Sequence, residues 1–180
     1  MKRSIARLKG IGYIIWHARH MLYHLLIGLL WAWFLREMWD IFSWKIIFFS
    51  VFGSFFPDSE HLIYFFISGK KDEYSKQVKA FFKAHEWRVL TSFIEQGHKY
   101  NTNLSYHNVY FVVILLILTI ICFLFDWEAW MTVLGAMVLH YLFDIADDYR
   151  TLGYLNENWK RWGNGRKKAQ PSKQTKRSIR

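Results

Sequence analysis

Cysteine is nearly absent. Cys122 stands alone inside an apolar run, which excludes a disulfide framework and a thiolate metal cluster. No segment recurs at a fixed period, so a repeat architecture is excluded as well. Acidic residues are scarce, 14 against 24 Lys and Arg, leaving a net charge of +10. No small-residue cleavage site follows the first apolar stretch, only Arg36-Glu37-Met38-Trp39. That stretch therefore reads as a retained helix rather than a signal peptide. Apolar residues are plentiful: they make up 53% of the chain, with 10 Trp, 10 Tyr and 16 Phe. A disordered chain lacks such surface to bury and is excluded.

Mean hydropathy is nonetheless near zero. Charge and apolar surface must then be segregated along the chain. Basic residues gather in Lys2 to Lys9 and Lys160 to Arg180, flanking an apolar body, as they do at the cytoplasmic ends of membrane proteins. A nucleic-acid partner would rest on the tail alone, and no specific one is expected.

Val109 to Phe125 is a run of 17 residues without a charged side chain, apolar apart from Thr119. In Ala129 to Phe143, Met21 to Leu35 and Ile41 to Phe56, His140, His24 and Lys45 are the sole His, Lys, Arg, Asp or Glu residues. The first is about 25 Å long, near the hydrocarbon thickness, and the other three are short for a bilayer crossing, but the charge pattern supports all four. With both termini cytoplasmic, all but Arg36 and Lys45 of the 24 basic residues fall inside. Trp31, Trp33, Trp39 and Trp44 then mark the outer end of the first hairpin, and Trp127 and Trp130 that of the second. The predicted fold is all-α: a four-transmembrane-helix bundle in the cytoplasmic (inner) membrane. A domain spanning 1–163 would carry an additional amphipathic helix over 72–96 on the inner surface. The remainder, 164–180, would be a basic disordered tail touching anionic lipid. The inner helix is read from Tyr74, Val78, Phe81, Phe82, Val89, Phe93 and Ile94, spaced three and four apart, with Gly97 as its stop.

Ionisable residues inside apolar segments are costly and need a partner or a task. On this topology they meet at one depth. His24 lies on the first crossing, Asp58, Glu60 and His61 at the inner end of the second, His107 at the start of the third, and His140 and Asp144 at the inner end of the fourth. Asp58 and His61 are i, i+3 and His140 and Asp144 are i, i+4, so each pair shares a helix face. Nitrogen and oxygen donors without thiolate suit zinc, manganese or ferrous iron. The number of donors points either to two ions or to some residues supporting others. His17 and His20 read as interfacial, His98 as a loop residue, and Glu86 and Glu95 as solvated. Asp147 and Asp148 end the fourth helix. His85, on the apolar stripe of the inner helix, would face the cluster either as a ligand or behind one.

These residues carry a resemblance. Gly53-Ser-Phe-Phe-Pro-Asp-Ser-Glu-His61 resembles the Leu-Pro-Asp-Ile-Asp-His signature of the membrane-bound metal-dependent hydrolases, with Glu60 in place of the second Asp. That family includes the LexA-regulated inner-membrane hydrolases and is similar to zinc-dependent phospholipase C proteins. His24 in Tyr-His-Leu-Leu-Ile-Gly, His107 in Ser-Tyr-His-Asn, and His140 to Asp144 in Leu-His-Tyr-Leu-Phe-Asp resemble its other motifs. The resemblance implies a metal site of His24, Asp58, His61, His107, His140 and Asp144, with zinc as the first choice.

The expected function is hydrolysis of a phosphoester, such as a lipid headgroup, at the cytoplasmic membrane surface. Glu60 or Asp148 would orient or deprotonate the attacking water. Two other classes remain open: a four-helix haem protein, and a membrane adaptor or carrier using the polar cluster as an ion relay.

Overall fold

The computed structural model describes residues 11–101 and 104–160, the side chains of 11–17, 20, 95–96 and 98–101 excepted. Among the described residues all regular structure is helical and there is no strand. Helix α1 spans Ile11–Trp39. A turn through Asp40 leads to α2, Trp44–Phe55, capped by Ser43, whose hydroxyl accepts the Ile46 N–H at 3.3 Å. The chain then tightens into a 3-10 turn, Phe56–Asp58, with Pro57 at its start. No N–H is missed there. A short α3, Ser59–Ile63, and a π turn, Tyr64–Ser68, follow. Next come α4, Glu73–Lys83, α5, Trp87–Asn101, α6, Val109–Leu124, α7, Glu128–Leu152, and α8, Glu157–Lys160. Gly153 ends α7 at φ 78°, the left-handed conformation that glycine adopts without penalty.

Among the described residues α7 is the one helix long and apolar enough to cross a membrane. Helix α6 is apolar throughout but has 16 residues, about 24 Å at 1.5 Å each.

Helix α7 is the hub, with α1, α2 and α6 all packed on it and α1 also packed on α2. Gly53 makes the α2–α7 contact close. A Cβ there would lie 3.0 Å from both Val133 Cα and Ala136 Cβ. Two hydrogen bonds, one buried and one partly buried, fix the rotation of the helices. The Ser50 hydroxyl donates to the Gly28 carbonyl at 2.5 Å, and the Trp31 indole N–H donates to the Thr132 carbonyl at 2.9 Å. The outward surface is apolar: Leu26, Leu30, Phe48, Phe52, Ile117 and Leu124 are all exposed.

The inner helix expected over 72–96 is two helices. It breaks after Ala84, where His85 takes φ 57°, and α5 folds back on α4. The aromatic residues explain the fold-back. Tyr74 stacks on Phe93 with ring centroids 4.9 Å apart, and its hydroxyl donates to the carbonyls of Phe93 and Ile94 at 3.2 and 3.1 Å. Val78 and Leu90 are buried in the same cluster. A straight helix could not bring its two halves together this way. Gly97, read as a stop, lies within α5, where the Tyr74 ring occupies the space a Cβ would need. The N-terminal basic cluster and the tail 164–180 lie outside the described residues.

Candidate metal centre

The site forms where the end of α2, the loop before α6 and the second half of α7 meet the middle of α1. Asn108 shapes the loop. Its Oδ1 accepts the Phe111 N–H at 2.8 Å, capping α6, while its amide donates to the Ser105 carbonyl at 2.6 Å. Buried Glu60 holds the same loop from the other side. One of its oxygens accepts the N–H groups of Ser105 and Tyr106, the latter at 2.9 Å, and the other lies 2.7 Å from His107 Nδ1.

An ionised carboxylate only accepts, so His107 Nδ1 carries the proton and its Nε2 presents the lone pair in the neutral ring. His140 is set in the same way. Its Nδ1 donates to the Ser54 carbonyl at 2.7 Å, so its Nε2 points onward. Both rings are buried, with their Nε2 atoms turned inward. Between them stands Asp144, whose Oδ2 is 3.0 Å from His140 Nε2 and 3.6 Å from His107 Nε2. Burial alone would lower the pKa of His107. The Asp144 and Glu60 carboxylates outweigh burial and push it up to about 9.

A second set adjoins the first. His24 Nε2 lies 3.6 Å from Asp58 Oδ2, and Asp58 Oδ1 lies 3.9 Å from His140 Nε2. The His24 ring stacks on His140, with centroids 4.1 Å apart and planes 19° from parallel. Within each triad, His24–Asp58–His140 and His107–His140–Asp144, the donor atoms all lie within 4.8 Å of one another. Such buried groups could hold a metal ion. The inward-facing Nε2 atoms of His107 and His140 are what a divalent cation would satisfy.

Five of the six expected ligands thus meet. His61 stands beside them, its ring 5.5 Å from that of His107, but outside both triads. The two carboxylates expected to handle water are engaged elsewhere. Glu60 is occupied by two backbone N–H groups and His107. Asp148, buried one turn beyond Asp144, accepts the Trp159 indole N–H at 2.8 Å. His85 is exposed at the α4–α5 break, with its ring against Trp87 rather than turned to the cluster. The side chain of His98 lies outside the described residues; its backbone is in α5, not a loop.

Three participants were not read from the sequence: the Ser54 carbonyl, Tyr141 and Trp159. The Tyr141 ring lies 5.0 Å from His107 and 5.5 Å from His140, and Trp159 lies 5.8 Å from His107. A backbone acceptor leaves no mark in a sequence. The aromatic residues are lost among many others. No family model, curated protein or solved structure matches the chain.

Proposed function

We propose that the chain is a membrane-embedded, metal-dependent hydrolase acting on a phosphoester, with a lipid headgroup as the substrate class. One observation carries this reading. Two buried imidazoles have their Nδ1 atoms pinned by a carboxylate and a carbonyl, and their Nε2 atoms face a shared carboxylate. Carboxylate- and carbonyl-oriented histidine is the usual support of a metal ligand. Three protein donors leave a coordination position open, as hydrolytic sites do. Zinc is the first choice of ion, with manganese or iron as alternatives.

A bound ion would supply a water of lowered pKa and polarise a phosphoryl oxygen. The chain's own part is to hold His107 through Glu60, to hold His140 through Ser54, and to keep the surrounding wall apolar. The resemblance of the Pro57 to His61 segment to membrane-bound hydrolases supports the same chemistry. Haem is disfavoured, because carboxylate oxygens within 3.9 Å of the Nε2 atoms occupy the space a porphyrin would need.

The membrane reading rests on α7, the apolar outward surface and the charge pattern. We infer four crossings, by α1, α2 with its following turns, α6 and α7. Both ends would lie in the cytoplasm, and exposed Lys70, Lys71, Lys76 and Lys83 would face anionic headgroups. The test is metal analysis of detergent-purified protein, together with headgroup release from mixed phospholipid vesicles. Bound zinc and chelator-sensitive release are expected. A metal-free protein that also fails to load zinc would sink the reading.

A further inference from the structure

Resting on that metal reading, we propose a division of labour within the cluster. His107, His140 and Asp144 hold the ion, while His24 and Asp58 form a separate pair beside it, Asp58 being the carboxylate that contacts the attacking water.

The ring planes decide between the triads. An imidazole binds an ion in its own plane, about 2 Å beyond the nitrogen and so about 3 Å from the ring centre. Two imidazoles sharing an ion need planes that meet at that point. His24 and His140 are stacked 4.1 Å apart and 19° from parallel, so their planes meet on the order of 10 Å away, beyond any zinc–nitrogen bond. His107 and His140 are 77° apart with centroids at 6.4 Å, so their planes cross rather than run alongside, and with the Asp144 oxygen their donor atoms lie within 4.8 Å of one another, from which a small closing movement lets one ion reach both.

The lone pairs agree. His140 has given Nδ1 to Ser54, so Nε2 alone remains, and one nitrogen cannot serve an ion in each triad. His140 Nε2 lies closer to Asp144 than to Asp58, 3.0 against 3.9 Å.

Asp58 is then left over, and its surroundings suit water. Its side chain is 28% exposed against 17% for Asp144, the more open of the two carboxylates. Oδ1 faces His140 Nε2 and Oδ2 lies 3.6 Å from His24 Nε2, so one oxygen borders the proposed ion position while the other faces the second imidazole. In the reaction, Asp58 takes a proton from water as the water oxygen bonds to phosphorus. The ester P–O bond breaks, and that proton passes to the departing alkoxide. His24 is a positioning residue: it stacks on a ligand and orients the base.

Zinc content and zinc X-ray absorption, measured on the full chain in detergent, test this assignment. The spectrum should count two imidazoles. His24→Phe, which keeps a flat ring on His140, and Asp58→Asn should retain zinc within about twofold of the unaltered chain. His107→Gln and Asp144→Asn, both close in volume to the originals, should lower affinity more than about tenfold. Cobalt in place of zinc reports the bound water through its visible spectrum. Removing the neighbouring negative charge by Asp58→Asn should lower the midpoint of that transition by about one pH unit. Three imidazoles in the spectrum, zinc lost on His24→Phe, or an unmoved cobalt midpoint would each overturn the assignment while leaving the hydrolase reading standing. A chain that binds no zinc at all overturns both.

Discussion

At the scale of residues, the cluster separates side chains whose donor atoms converge from side chains that hold them in place. Glu60 shows the difference. By residue type and position it reads as a base, and in the structure its oxygens accept two backbone N–H groups and the His107 Nδ1 proton. Glu60→Gln would place an amide N–H₂ against one of these donors. It should weaken zinc binding roughly 10- to 100-fold, measured by competition with a chelating dye. Trp159→Phe keeps an aromatic ring near His107 but removes the donor to buried Asp148. Thermal unfolding should report a loss of about 1–3 kcal/mol. The kinds of residue at the site were legible in the sequence, because a histidine or carboxylate inside an apolar run needs a reason. Which nitrogen faces inward was not. It is set by Ser54 O and Glu60, whose distances from their partners, 86 and 47 residues along the chain, no local pattern encodes.

At the scale of elements, periodicity was informative about helices and silent about where they end. The stripe Phe81–His85–Val89 keeps helical spacing straight through the break between α4 and α5. Ala84-His85-Glu86 contains neither Gly nor Pro to announce a turn. The break is imposed from a distance by Tyr74 on Phe93 and by Phe81 on Phe93. His85→Gly should relieve the left-handed backbone there and hold or raise the unfolding temperature. It should leave bound zinc unchanged, because the exposed His85 ring rests on Trp87. Gly53→Val should do the reverse. A branched side chain has no room where Val133 and Ala136 already sit at 3.0 Å, so α2 must move off α7, carrying the Ser54 carbonyl away from His140. Lower stability and weaker zinc binding should appear together in a melting curve and a metal assay.

At the scale of the molecule, the all-helical class was legible because long apolar runs with flanking charge admit little else. The span count is a separate matter. Helix α7 meets the length and hydropathy of a crossing, while α6 is shorter. Reporter fusions test the proposed four crossings. Fusions at Trp39 and Trp127 should read external and one at Lys71 internal, and an external Lys71 would contradict the four-crossing arrangement. The hub position of α7 also bears on biogenesis. During synthesis α1, α2 and α6 emerge before the helix on which all three pack, and they carry His24 and Asp58 with them, His107 following just before α6. His140 and Asp144 arrive only with α7. Until that helix docks, the earlier donors have no common centre and the close-packed seam at Gly53 has no opposite wall. If the site takes up an ion, that capture comes among the last events of maturation, and a loaded site would report that α1, α2 and α6 have packed on α7.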